Sequence, residues 1–126
     1  PMGETGGTVL VVDDEPAVLS VAQRLLDKGG FTVLTAPDGV AAIELLERYG
    51  EQVDLVLLDL TMPRMDGNET YGRLRESHPD VPVILISGYS EVEVEQRFTG
   101  TGLAGFIQKP YHPTRLLRLV HQVLAA

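Results

Sequence analysis

Three aspartates, a serine and a lysine stand where a chain of 126 residues could place chemistry. Asp13 and Asp14 close the apolar run Val9-Leu10-Val11-Val12, and Asp59 closes Leu55-Val56-Leu57-Leu58. Ser87-Gly88 ends a third such run and Lys109-Pro110 follows a fourth. With the first two runs as adjacent parallel strands, the three carboxylates converge in one crevice. There they raise each other's pKa unless a cation neutralises them. An all-oxygen set without His or Cys suits Mg²⁺, or Mn²⁺ in its place, better than zinc. An aspartate is a competent nucleophile toward phosphorus, and a metal, an amine and a hydroxyl together neutralise the three transferring oxygens. Taken singly, Asp14 reads as a helix cap, Asp59 as a strand end, Ser87 as a turn residue and Lys109 as a surface lysine. Gathered at four strand ends, they describe a phosphoryl-transfer site.

The elements that must position them follow from the hydrophobic pattern. Thr8 to Val12 is a continuous aliphatic and β-branched run, as expected of a strand buried on both faces. Phe31 to Leu34, Leu55 to Leu58, Val83 to Ile86 and Leu103 to Ile107 repeat that pattern, so five strands are expected. Helical spacing fills the intervals: Val18, Val21, Ala22, Leu25 and Leu26; Val40, Ile43 and Leu46; Tyr71 and Leu74; and Leu116, Leu117, Val120, Val123 and Leu124. Strict alternation implies right-handed βαβ units and a parallel sheet covered by helices on both sides. Ligands of such sheets bind beyond the carboxyl ends of the strands, where the five residues lie. Asp14-Glu15-Pro16, Pro37-Asp38-Gly39 and His112-Pro113-Thr114 suit helix entry, and Gly29-Gly30 and Gly50 suit helix exit. Ser90 to Glu95 alternates with period two, yet Glu is a poor strand residue and Val94 and Phe98 are a helical pair. A short, weakly held fourth helix is therefore expected there, as the crossover between two parallel strands.

The runs Val9-Leu10-Val11-Val12-Asp13-Asp14-Glu15-Pro16 and Asp54 to Gly67, with Ile86-Ser87-Gly88 and Phe106-Ile107-Gln108-Lys109-Pro110, resemble the receiver domains of two-component response regulators. The likeness extends from Thr8 to the last helix, so residues 8–126 read as a receiver domain and 1–7 as a linker or expression remnant. It implies an α/β, flavodoxin-like (βα)5 three-layer sandwich with a parallel five-stranded sheet in order 2-1-3-4-5, and a cis Lys109-Pro110 bond. It also implies that Asp59 is the phosphoacceptor, that Asp14 binds Mg²⁺ directly and Asp13 largely through water, and that the backbone carbonyl of Thr61 is a further ligand. Ser87 and Lys109 would contact the phosphoryl group. Met62 to Gly67 would shape the loop beside Asp59, Phe106 would be the aromatic of the switch, and Thr61 and Tyr89 would tune water approach. Gly88 is the small residue expected where backbone nears a phosphoryl group.

The implied partner is a histidine kinase or a histidine phosphotransfer protein. Three settings fit such a domain: a stand-alone regulator, part of a regulator with a DNA-binding output, or the terminal receiver of a hybrid histidine kinase. The last is favoured because Ser87 to Glu91 and Gly102 to Tyr111 look similar to receivers at the C-termini of hybrid kinases. The alternative from another class is a phosphorylation-independent, receiver-like interaction module, against which the complete site set weighs. A flavin-binding flavodoxin lacks support, because no phosphate loop rich in Ser and Thr follows the first strand. The broad apolar arc of the last helix reads either as a weak dimer face or as a wide core stripe.

Composition narrows the classes. A formal net charge of −8, with only Lys28 and Lys109 as lysines and no basic cluster, argues against direct nucleic-acid binding. No apolar run approaches the length of a membrane span, and cysteine is absent, so a cytoplasmic domain without membrane contact is expected. Gly100-Thr101-Gly102-Leu103-Ala104-Gly105 spells the dinucleotide-binding string, but it precedes a strand where that motif must open a helix. His78, His112 and His121 are scattered and lack ligand partners at metal spacing.

Overall fold

The structure, a computed structural model, describes residues 7–60, 67–98 and 102–125. Strand and helix alternate as the pattern requires: β1 (Thr8–Val12), α1 (Pro16–Lys28), β2 (Thr32–Ala36), α2 (Gly39–Tyr49), β3 (Leu55–Asp59), α3 (Gly67–Ser77), β4 (Val83–Ser87), α4 (Glu91–Phe98), β5 (Gly105–Gln108) and α5 (Pro113–Ala125). All four strand pairings are parallel and the order is β2-β1-β3-β4-β5.

Period two in the strands sorts their side chains into two cores. Leu10, Val12, Val56, Leu58, Val83 and Leu85 face α2, α3 and α4, where they meet Ala42, Leu46, Leu74 and Val94. Val9, Val11, Leu55, Leu57, Ile84 and Ile86 face α1 and α5, where they meet Ala22, Leu26, Leu116 and Val120. The three central strands are therefore apolar on both faces, and each large aliphatic buried there contributes about 1.5–3 kcal/mol. Such burial explains why β1, β3 and β4 were continuous rather than alternating in sequence.

Several boundaries and faces differ from the sequence reading. Strand β2 starts at Thr32 and not at Phe31, because the Phe31 N–H still bonds Leu26 O as the helix exits and its ring enters the α1/α5 core. Strand β5 starts at Gly105, after Gly102 turns the chain with φ of +80°. Val21 is 61% exposed, since Ala22 and Leu26, four apart, form the ridge that meets the sheet. At the start of α1 the capping position belongs to Glu15 and not to Asp14, and the Glu15 side chain makes no capping hydrogen bond. Asp38 does cap α2, accepting from Ala41 N at 2.8 Å. Gly50 follows α2 but stays right-handed and leads into a 3-10 turn.

The expected short helix α4 is present, with Val94 and Phe98 buried as a pair. A reciprocal capping box closes its first turn: Ser90 N donates to Glu93 Oε1 at 3.0 Å, and Glu93 N donates to Ser90 Oγ at 3.2 Å. The broad apolar arc of α5 is core stripe, with Leu116 and Val120 fully buried and Leu117, Leu119, Val123 and Leu124 packed around them. That arc needs no second copy of the chain to explain it. Replacing Asp38 with Ala should lower unfolding free energy by about 1 kcal/mol, and Leu57→Ala by about 3 kcal/mol, in urea titrations followed by circular dichroism.

Candidate functional site

The parallel register brings the strand ends together. Val12 pairs with Leu58, Asp59 with Ile86, and Ser87 with Gln108. Hydrogen bonds continue the ladder past the strands, from Asp13 N to Ala36 O (3.1 Å), from Leu60 N to Ile86 O (3.0 Å) and from Lys109 N to Ser87 O (2.7 Å). The backbone that carries each polar side chain is thus held as firmly as the sheet itself.

Asp13, Asp14 and Asp59 each offer a carboxylate oxygen within 4.8 Å of the others. Asp13 and Asp59 are 3% and 2% exposed, whereas Asp14 is half-buried at the rim. Lys109 reaches in from beyond β5, with Nζ 3.5 Å from Asp59 Oδ2 and 3.9 Å from Asp13 Oδ2. At an effective dielectric near 20, unit charges about 5 Å apart interact by about 3 kcal/mol, so each carboxylate pair is a substantial repulsion. One ammonium against three carboxylates leaves the crevice two charges negative. A divalent cation with oxygen preference fits that deficit, and the absence of nitrogen or sulfur donors from the cluster fits Mg²⁺.

The conflict registers in Asp13. Its carboxyl is raised to about 6: burial is the largest cause, the Glu15 N–H bond to Oδ1 at 3.0 Å opposes it, Asp59 raises it, Lys109 lowers it, and Asp14 adds a last upward push. Instead of capping the helix with Asp14, the chain uses Asp13 to hold the Glu15 amide, which leaves the Asp14 carboxylate at the mouth of the crevice.

Ser87 is buried at the end of β4, and its Oγ accepts from Tyr89 N at 3.0 Å. Gly88 is exposed, and among the described residues a Cβ built there would meet nothing within 4 Å. The Lys109-Pro110 bond is cis, as the resemblance implied. Phe106 is half-buried on β5 against the α2/α3/α4 core. Thr61, with its expected carbonyl ligand, and most of the Met62 to Gly67 turn lie outside the described residues. Gly105 opens β5, so the dinucleotide string leads into a strand, as the sequence reading required.

Two neighbours had no role assigned from sequence. Tyr111 is half-buried close enough to feel Lys109 and Asp13, and burial raises its phenol above the ordinary value. Its place after Lys109-Pro110 was the only signal. Arg97 of α4 lies over the Tyr89 ring at 4.5 Å. No spacing rule links Arg97 to Tyr89, since the ring precedes α4 and the guanidinium stands near its end.

A doubly wound sheet in order 2-1-3-4-5, with acidic residues beyond β1 and β3 and a lysine beyond β5, defines a receiver-type domain. The chain belongs to the response regulator receiver domain family, whose model matches residues 9–121. Among its relatives are the sensor kinase CckA of Brucella abortus, 39% identical over 117 residues, and a 14.6 kDa protein of Leptolyngbya boryana, 37% identical over 120. The match takes in 93% of this chain but 12% of CckA, against 94% of this chain and 90% of the Leptolyngbya protein. Among solved structures, the chemotaxis protein CheY4 of Vibrio cholerae superposes with a TM-score of 0.86 at 26% identity, covering 94% of this chain and 99% of CheY4. The receiver domain of NtrX from Brucella abortus gives 0.83 at 29%, covering 94% and 98%.

Because the Asp13 carboxyl rises from 3.8 to about 6 on folding, the folded state holds that proton more tightly. The charge penalty is absent below about pH 4, grows as pH rises toward 6, and is fully present at pH 7. In EDTA at pH 7, Asp13→Asn should therefore stabilise the fold by about 2–3 kcal/mol, and the gain should shrink as the pH is lowered from 6 to 4. Urea unfolding at a series of pH values measures this; equal stability of the two proteins at pH 7 would contradict it.

Proposed function

We propose that this receiver domain is a phosphoacceptor in a two-component phosphorelay, in which Asp59 takes a phosphoryl group from a phosphohistidine and the resulting change alters the face shown to a partner. The observation that carries the reading is the pairing of buried Asp59 with Lys109 in a crevice shared by two more carboxylates. A buried Asp–Lys pair alone would be structural. Two further carboxylates beside it destabilise the fold unless they serve a ligand.

An oxygen of Asp59 attacks phosphorus, an acyl phosphate bond forms, the P–N bond to imidazole breaks, and the imidazole leaves with its electron pair and takes up a proton. Lys109, with Nζ already beside Asp59 Oδ2, is placed to neutralise charge on the transferring oxygens. Ser87 supplies a hydroxyl from the next strand, and Gly88 beside it meets no crowding among the described residues. Asp13, Asp14 and Asp59, with the Thr61 carbonyl, would hold Mg²⁺, or Mn²⁺ in its place. Bound there, the ion supplies charge neutralisation for the phosphoryl oxygens. Tyr89 and Phe106 would tune and transmit the change, with cis Pro110 shaping the turn after Lys109.

The donor in this reading is a histidine kinase or a histidine phosphotransfer protein, in the cytoplasm. The domain assists its own phosphorylation and dephosphorylation and has no separate substrate. A place within a hybrid histidine kinase draws support from the likeness to part of a sensor kinase. No helix among the described residues is long and apolar enough to cross a membrane, and the net charge of −8 disfavours direct contact with nucleic acid.

Incubation with Mg²⁺ and acetyl phosphate should add one phosphoryl group by intact mass, and the addition should be lost in Asp59→Asn and in EDTA. Lys109→Ala should slow the addition by roughly two orders of magnitude while leaving the fold intact. No adduct on the unaltered protein, together with an amide spectrum indifferent to beryllofluoride, would leave the interaction module as the better reading.

A further inference from the structure

The segment between β4 and α4 is tied down at three points. Ser87 Oγ accepts the Tyr89 N–H, the Tyr89 ring lies beneath the Arg97 guanidinium at 4.5 Å, and Ser90 and Glu93 exchange hydrogen bonds across the first turn of α4. The Glu93 carboxyl is held below its usual range chiefly by its hydrogen bonds with Ser90 and to a smaller extent by Arg97 one turn later. The Tyr89 ring packs against the α2/α3/α4 core that holds Val94 and Phe98, so it is held between that core and the guanidinium. Only one of these ties involves Ser87, and it turns the hydroxyl oxygen toward the Tyr89 amide.

A phosphoryl group on Asp59 would present acceptor oxygens to the same hydroxyl, which would donate to them a charge-assisted hydrogen bond, stronger than the neutral one it accepts from the Tyr89 amide. The hydroxyl accepts the Tyr89 N–H and would donate to the phosphate, so the two bonds compete only through the single χ1 rotamer that Oγ can occupy. A rotation toward the phosphate gives up the Tyr89 N–H, and the turn that carries Tyr89 then adjusts. We propose that Arg97 is a positioning residue for the phosphoacceptor site: by holding the Tyr89 ring on α4 it stabilises the arrangement in which Ser87 faces Tyr89, and so opposes recruitment of the Ser87 hydroxyl to Asp59. This rests on the phosphoacceptor reading and adds to it a residue on α4 that sets the balance. Nothing among the described residues crowds Gly88, which gives the turn room to move once the clamp is released.

The test is a beryllofluoride titration in Mg²⁺, followed by amide NMR spectra, on the unaltered protein, Arg97→Met, Arg97→Gln, Arg97→Lys, Tyr89→Leu and the Arg97→Met/Tyr89→Leu pair. Arg97 is exposed, and spectra without beryllofluoride report whether each variant keeps the fold. Arg97→Met and Arg97→Gln should bind beryllofluoride roughly two- to fivefold more tightly, matching the strength of an exposed cation–π contact, and Arg97→Lys should stay close to the unaltered protein. In the Tyr89→Leu background Arg97→Met should add nothing. Unchanged or weaker affinity in both Arg97→Met and Arg97→Gln would overturn the clamp, as would an Arg97→Met effect that persists without the tyrosine ring. An unaltered protein that ignores beryllofluoride would overturn the phosphoacceptor reading and the clamp with it, whereas failure of the clamp alone leaves the unaltered protein responsive.

Discussion

Like charges held close in a place water barely reaches are the constraint on which the site depends. The adjacency of β1 and β3 puts Asp13 and Asp59 side by side, both almost fully buried, with Asp14 at the rim. Nothing in the described part of the crevice except Lys109 carries positive charge toward them. Burial is the main cause that pushes the Asp13 carboxyl up, and the charges of Asp59 and Asp14 add to it. The arrangement is stable as protein structure only because the strands beneath it are held by two apolar cores, each formed from one face of the same sheet.

That division of labour explains the contrast between the two ends of each central strand. From Val9 to Val12, Leu55 to Leu58 and Val83 to Ile86, every side chain is buried and apolar, and each strand then gives way to a polar residue at its carboxyl end. Hydrogen bonds that run one residue beyond β1, β3 and β5 keep those polar residues in register. A rigid base of this kind lets a site tolerate repulsion that a loop-borne site would relieve by moving apart.

The β4–α4 region is built on a different principle. Helix α4 is eight residues long, buries Val94 and Phe98, and is otherwise secured by polar contacts at its start. Small burial and exposed hydrogen bonds are the physical features of a segment with low local stability. It follows Ser87 after a short turn whose Tyr89 N–H donates to the Ser87 hydroxyl, so a loosely secured helix stands beside the proposed phosphoacceptor site. A stiff crevice and a loosely held neighbour are what a switch requires, since a local charge change then has an element to bias.

Much of this was legible in the sequence. Continuous apolar runs named the buried strands, alternation with helical spacing implied parallel order, and polar residues at run ends located the crevice. Asp13, Asp14, Asp59, Ser87 and Lys109 were legible because chemistry of this kind needs particular residue types at strand ends. Local chemistry also located the Asp38 cap and the Val94–Phe98 pair, although the Ser90–Glu93 box went unread in a segment that alternates like a strand. Other features depended on contacts between residues distant in the chain or on competition between neighbours. Only the folded packing put Val21 outside, made the arc of α5 a core stripe and set Arg97 over Tyr89. The Glu15 amide could be served by either preceding aspartate, and the fold assigned it to Asp13, leaving Asp14 at the mouth. Periodicity determines which face of an element is apolar, but the angle at which helices meet the sheet decides which residues at the edge of that face are covered.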